Sequence, residues 1–178
     1  EYMEFFKPLV EDGHKIIHIN LGSSLSSSHQ NALIAATSFE DVYPIDSSNL
    51  SSGTGLLVLK AAELVTKGLD IVNIVDELNK YTKNIHSSFI LDTLDFLFAG
   101  GRVSKLTSVG SNMLKIKPVI EVSNSQNGSM SSGMKYRGSI EKVIPKYIKD
   151  KLSQYDNINE DKIFIAQAGL DEECLNIA

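Results

Sequence analysis

The segment Leu21-Gly22-Ser23-Ser24-Leu25-Ser26-Ser27-Ser28-His29-Gln30 concentrates hydroxyl groups in one short stretch. It follows the β-branched run KIIHINL, residues 15–21, and precedes an alanine-bearing stretch, His29–Thr37. A loop that leads from a strand end into a helix N-terminus exposes unpaired N–H groups and the positive end of the helix dipole. Serine hydroxyls add donors there, so the loop suits a carboxylate or a phosphate. Open α/β sheets also bind ligands along this edge. The same residues serve helix capping, which is the commoner role of serine at such a turn. Nucleophilic catalysis needs more. The elbow pattern G-x-S-x-G is absent around Ser24, and His29 is the one local base for a serine hydrolase. A phosphometabolite-binding protein would place its phosphate on the same loop. Both alternatives stay open on residue types alone.

Two further glycine-bearing stretches could approach a ligand. SSNLSSGTG, residues 47–55, contains Gly53 and Gly55 but matches neither a P-loop nor G-x-G-x-x-G, and a tight turn with a helix cap accounts for it. GGRVSK, residues 100–105, presents Arg102 after two glycines, a geometry suited to an anion, although Asp92 and Asp95 lie near enough in sequence to pair with it. The histidines, His14, His18, His29 and His86, form no i, i+4 ligand pair, and the single cysteine, Cys174, allows no disulfide and no cysteine-based zinc site. No metal site and no cofactor are expected. Cys174 itself reads as a small buried side chain.

The elements that must position these residues follow from periodicity. Residues 2–12 carry Phe5, Phe6, Leu9 and Val10 at helical spacing, with Gly13 as the stop. Strand 15–21, helix 29–37 and strand 41–46 follow. An apolar helix spans Leu56–Thr66, ended by Gly68, and an amphipathic one spans 70–83 with Ile71, Ile74, Val75 and Leu78 on one face. Strand, turn, helix in repetition predicts an α/β unit with a parallel, Rossmann-like sheet. After about residue 87 the rhythm changes. A strand within 86–94, a short helix broken at Gly100–Gly101, a helix over 106–115 and a strand over 117–123 are expected. An Asn127–Gly128 hairpin, a returning strand at 134–138, a helix over 139–152 and a final strand at 162–169 complete the pattern. The fold class is thus an α/β domain followed by an α+β domain with a mixed or antiparallel sheet, divided as residues 1–87 and 88–178.

Composition narrows the function. The chain has 178 residues, 42% hydrophobic and 22% charged, as expected of a packed globular core. Its 17 basic and 22 acidic side chains leave a net charge of −5, which argues against nucleic acid as a partner. No apolar run reaches the ~20 residues of a membrane-spanning helix, and no signal peptide is visible. Low cysteine content fits a reducing cytoplasm.

Taken in order, four segments resemble the DegV family of bacterial fatty-acid-binding proteins. LGSSLSSSHQNA is similar to the family's SSxLSGTYQSA. YPIDSSNLSSGTGLLVLKAAEL is similar to VIDSxxxSxGxGLLVLEAAEL. LDTLDFLFAGGRVSKLTSVGSNMLKIKPVIEV, the most specific stretch, resembles DTLxYLxKGGRIS…GxLLxIKPIL, and KYRGSIEKVI resembles KVRGxxKAI. The resemblance implies a two-domain protein that holds a long-chain fatty acid in an apolar tunnel, with the carboxylate on loop hydroxyls. It implies ligand roles for Ser23 and Ser26, with Ser24, Arg102, Arg137 and Gln167 as further contacts at the head group or a partner. Residues 106–120, including Val109, Met113, Leu114 and Ile116, could line the tunnel or simply pack the core. The resemblance further implies a lipid-presenting protein rather than an enzyme, working beside a separate fatty-acid kinase. Gly22 stands where the family has serine, Ser27 where it has glycine, and Gln167 where it often has histidine. Glutamine can donate a hydrogen bond but cannot carry the charge. The family's Thr-Ser-x-Pro-Ser segment would precede Glu1, so the chain reads as the middle of a longer protein.

Overall fold

The computed structural model describes residues 1–101, 116–169 and 172. The expected helix over 106–115, together with Arg102, Val109, Met113, Leu114 and Cys174, lies outside the described residues. The chain divides into two compact units. One is built from Glu1–Ser87 with Val122–Ser129, the other from Ser88–Glu121 with Met130–Ala178.

In the first unit, helix α1 (Tyr2–Glu11) precedes strand β1 (Ile16–Asn20), helix α2 (Ser28–Ala36), strand β2 (Val42–Asp46), helix α3 (Ser51–Thr66) and helix α4 (Ile71–Thr82). β1 and β2 pair in parallel, Ile16 beside Val42 through Asn20 beside Asp46. The alternation of β1 divides its side chains between two apolar clusters. Ile17 and Ile19 pack with Leu57, Leu64, Ile74 and Leu78 of α3 and α4. Ile16 packs with Phe6, Ala35 and Val42. Gly13 and Gly68 end α1 and α3 as the sequence predicts. Each has positive φ, +82° and +74°. The paired bonds His14 N–H to Leu9 O and Gly13 N–H to Val10 O, repeated as Leu69 to Leu64 and Gly68 to Val65, satisfy the last carbonyls of each helix. Asp70 caps α4, its carboxylate accepting the N–H groups of Val72 and Asn73.

Strands β3 (Ser87–Ile90), β4 (Ile116–Ser123) and β5 (Ser129–Arg137) form an antiparallel sheet in the order β3-β4-β5, which belongs to the second unit except for Ser87, Val122, Ser123 and Ser129. Helix α5 (Asp95–Ala99) follows β3, and helix α6 (Ile140–Leu152) follows β5. Val119, Tyr136 and Val143 form the core, with Ile90, Met134 and Tyr147 against it. The Tyr136 hydroxyl donates to Asp150 at 2.9 Å. Burial, then that carboxylate, pushes its pKa up to about 12.

Three elements differ from expectation. Helix α3 begins at Ser51 rather than Leu56, because the polar Ser-Ser-Gly-Thr-Gly stretch is drawn into the first turns by tertiary packing around buried Gly53. β5 begins at Ser129 rather than 134. Asn127 (φ +56°) and Gly128 (φ +83°) reverse the chain at once, so SMSSG pairs with β4 despite its composition. The expected strand over 162–169 does not form. Glu160–Lys162 is a 3₁₀ turn, and residues 163–169 belong to no strand, with Ile163, Phe164 and Ile165 exposed. A strand exists only as part of a hydrogen-bonded ladder, and among the described residues none runs beside this segment.

Candidate functional site

Beyond the last paired residues of β1 and β2, Asn20 and Asp46, the two chains continue side by side. Ser47 N–H donates to Asn20 O at 3.0 Å, and Gly22 N–H donates to Asn49 O at 2.7 Å. The serine-rich loop 22–27 and the 47–50 turn therefore share one edge, at the carboxyl ends of parallel strands.

Asp46 joins them. Its two carboxylate oxygens accept the Ser23 N–H at 3.2 and 3.3 Å, and one also accepts the Ser48 N–H at 2.7 Å. The tip of the β4–β5 hairpin, which belongs to the same unit, closes the third side. Ser24 N–H donates to Asn127 O at 3.1 Å. A Cβ on Gly22 would lie 2.5 Å from Asn127 O, and one on Gly128 would lie 3.1 Å from both Gly22 Cα and the Ser48 carbonyl carbon. Gly22, where the resemblance leads one to expect serine, is thus required by this close approach.

The loop's backbone is engaged internally. Gly22, Ser23, Ser24 and Leu25 donate their N–H groups to Asn49 O, Asp46, Asn127 O and Gly22 O in turn. Ser28 N–H donates to the Ser26 hydroxyl oxygen at 3.1 Å, so Ser26 does serve the start of α2. A hydroxyl that accepts one bond still has its own O–H to donate. The Ser23 hydroxyl enters none of these bonds. The donors this loop can turn toward a ligand are its hydroxyls and the N–H groups of Ser26 and Ser27, which have no acceptor among the described residues.

Polar burial continues behind the loop. Ser47 and Asn49 are fully buried. The Ser47 hydroxyl meets Asn49 O at 3.1 Å and the Thr54 hydroxyl at 3.0 Å. Asn49 Oδ1 and the enclosed Ser28 hydroxyl have no hydrogen-bond partner among the described residues. Ser48 and Ser51 hold left-handed φ of +47° and +48°, a strained state for serine.

His29, the local base a hydrolase would need, turns its Nδ1 to Asn20 Oδ1 at 3.3 Å. Asn20 Nδ2 reaches His18 Nε2 at 3.0 Å. An amide nitrogen only donates, so His18 Nε2 accepts and the ring is neutral. Burial lowers its pKa, and the neighbouring His29 lowers it further.

Ser23, Ser24 and Ser26 thus lie on one loop of the first unit, half-buried. Arg137 ends β5, exposed, and Gln167 lies exposed in the irregular 163–169 segment, both in the second unit. An open apolar groove of about 850 Å³ in the first unit is lined by residues including Ile17, Ile19, Val58, Val65 and Leu69, and none of the predicted site residues lines it. Among the described residues no cluster of His, Cys, Asp or Glu could hold a metal, and no helix is long and apolar enough to cross a membrane. The residue that sequence reasoning passed over is Asp46. Its one signal was an acidic side chain at the end of a buried strand, directly before a serine-rich turn.

The family model described as "Uncharacterised protein, DegV family" matches residues 1–178. A DegV domain-containing protein of Clostridium perfringens is 34% identical over 159 residues, 88% of this chain and 54% of its own. One from Staphylococcus aureus is 30% identical over 174 residues, 97% of this chain and 61% of its own. The chain thus spans little more than half the length of these relatives. Among solved structures, a DegV-family protein of Ruminococcus gnavus with vaccenic acid superposes with TM-score 0.74 at 25% identity, covering 88% of this chain and 55% of that one. DegV of Bacillus subtilis, described as a fatty acid binding protein, gives 0.69 at 25% identity, covering 86% and 55%.

Proposed function

The chain belongs to the DegV family, and on that premise we propose that it is part of a protein that binds a long-chain fatty acid, its carboxylate held by the hydroxyls of Ser23 and Ser26. The observation that carries the reading is the hydroxyl-lined loop at the carboxyl ends of β1 and β2, taken with the fatty acid on a solved relative of the same fold. A buried carboxylate needs donors, and two hydroxyls supply them without a metal or cofactor. The tail needs only apolar surface, because burial contributes roughly 0.8 kcal/mol per methylene.

Ser24, Arg102, Arg137 and Gln167 are further proposed contacts for the head group or a partner. Residues 1–87 are read as part of an N-terminal domain carrying the loop, and 88–178 as part of a C-terminal one. The protein is read as a cytoplasmic carrier without catalysis of its own, presenting the lipid for transport or to a fatty-acid kinase. The orientation of His29 toward Asn20 supports this over a serine hydrolase.

Mass spectrometry of an organic extract of the purified protein tests the reading. A stoichiometric fatty acid is expected. Absence of lipid, together with no uptake of added palmitate or oleate, would overturn it.

A further inference from the structure

We propose that His29 is the cation of the Ser23–Ser26 head-group site, and that the fatty-acid carboxylate binds there with uptake of a proton by the His29 ring. The inference rests on the fatty-acid reading and deepens it. Between Lys15 and Lys60 the sequence carries no lysine or arginine. The acidic side chains of that stretch are Glu40, Asp41 and Asp46, and its basic ones are His18 and His29. Hairpin residues 122–129, which close the third side of the loop, carry no charge. A carboxylate on the Ser23 and Ser26 hydroxyls therefore meets a negative group, Asp46, and within these stretches only the two histidines can oppose it.

The two histidines differ in what they can do. Strand alternation puts Ile16, His18 and Asn20 of β1 on one face with Val42 and Asp46 of β2, the face that packs on α1 and α2. His29 stands in the first turn of α2 and reaches across to Asn20, the last residue of β1 before the serine loop. Asn20 Oδ1 only accepts, so His29 Nδ1 carries the proton and Nε2 of the neutral ring is bare. A proton from the solvent adds at Nε2 and leaves the bond to Asn20 intact. His18 has no such freedom. Its Nε2 accepts from Asn20 Nδ2, and burial, then His29, holds its pKa below the ordinary value. The bridge thus keeps His18 neutral and leaves His29 to take the charge. Around the pair lie Asp46 on β2 and, on α1, Tyr2, whose ring centroid is 5.1 Å from that of His18. Glu4, Lys7 and Glu11 of α1 are exposed, Glu40 and Asp41 follow the far end of α2, and α2 itself holds no other titratable side chain.

Ser23 lies three positions after Asn20, and His29 three after Ser26, a reach of about 10 Å at full extension, or one Debye length. A carboxylate at that range favours the imidazolium, and by linkage the imidazolium favours the carboxylate. Affinity is therefore greatest below about pH 6.5, the ordinary histidine value, and falls as pH rises through the window above it.

Two ligands with the same tail test this on the full chain: palmitate, and hexadecanol, whose head is neutral. Each Kd is read by displacement of a fluorescent fatty acid, below aggregating concentrations, with the probe's own Kd measured at every pH. A monomeric carboxylate is already ionised at about pH 6, so palmitate brings no proton change of its own. From about pH 8 to about pH 6 palmitate should bind about three- to tenfold more tightly, while hexadecanol stays within about twofold. His29→Gln keeps a donor for Asn20 but takes up no proton, and should flatten the palmitate profile to within about twofold. A palmitate Kd that is constant over this range would overturn the role of His29 while leaving the fatty-acid reading intact. A slope shared by hexadecanol, or one that persists in His29→Gln, would overturn it as well. Failure to bind palmitate at every pH would overturn the fatty-acid reading, and this inference with it. The palmitate–hexadecanol comparison needs no substitution, so it decides even where His29→Gln fails to fold.

Discussion

The Asp46 carboxylate accepts the Ser23 N–H through both of its oxygens, across 23 positions of sequence. The bond ties the serine loop to the end of the neighbouring strand. It also gives the Ser48 N–H, in a left-handed residue, its acceptor. Loop shape, backbone strain and local charge therefore meet in one side chain.

Asp46→Ala leaves two partly buried N–H groups without an acceptor. Each such group costs about 1–3 kcal/mol. The unfolding free energy from urea titration should fall by roughly 2–4 kcal/mol, with Asp46→Asn losing less than half of that because one acceptor oxygen remains.

Gly53 and Gly55 lie in the same turns of α3 and should respond with opposite sign. A Cβ at Gly53 would fall 2.3 Å from Asn49 Oδ1 and 2.4 Å from Ser87 Oγ, and Asn49 is fully buried and cannot retreat. Gly53→Ala should destabilise by about 1–3 kcal/mol. Gly55 meets nothing within 4 Å. There Ala should stabilise by about 0.5–1 kcal/mol, through helix propensity alone. Thermal melts of the pair read the difference directly.

Gly128→Ala tests the hairpin tip. Its φ is +83°, and the added Cβ would press on Gly22 and Ser48. Left-handed strain alone costs about 1–2 kcal/mol. The contact should also disturb the Ser24–Asn127 bond, so fatty-acid affinity should fall together with the melting temperature.

Ser23→Ala and Ser26→Ala should each weaken palmitate binding by roughly ten- to a hundredfold, the loss of one hydrogen bond to a charged group. Ser26→Ala also removes the acceptor of Ser28 N–H and should lower stability by about 0.5–2 kcal/mol. Ser23→Ala should leave stability nearly unchanged. Calorimetric titration beside denaturant melts separates binding from folding.

Stability should decline as pH falls below about 6.5, the ordinary histidine value. His18 has a lowered pKa in the folded protein, so the unfolded chain takes up its proton first. Its contribution is complete above the unfolded pKa and is lost as pH falls through the window down to the folded one. Protonation would also set Nε2–H against the Asn20 amide donor. Urea midpoints between about pH 7.5 and 5.5 should show the slope. His18→Gln should flatten it.

Much of the first unit is legible along the chain because its signals are local. Ile16, Ile17 and Ile19 in β1, the apolar spacing of Ile74 and Leu78, and the glycine stops at 13 and 68 each act within a few residues. Where a neighbour decides, the local signal fails. Gly53 stands inside a helix at a point where Asn49 and Ser87 leave room only for hydrogen. Ser129–Gly133 becomes strand because β4 lies beside it. Ile163–Ile165 reads as strand by composition, yet among the described residues no strand runs beside it.

Residue order alone determined that a hydroxyl-rich loop would leave a buried strand and open a helix, since strand and helix periodicity are local properties. Only the tertiary structure decided what that loop can offer. Parallel pairing brings Asp46 beside Asn20, and Asp46 and the Asn127 turn then take the N–H groups that the isolated loop would have turned outward. Hydrogen bonds between residues 23 and about 100 positions apart leave no trace in local spacing, so the engaged backbone, the fixed charge of Asp46 and the remaining hydroxyls emerge only when the chain is folded.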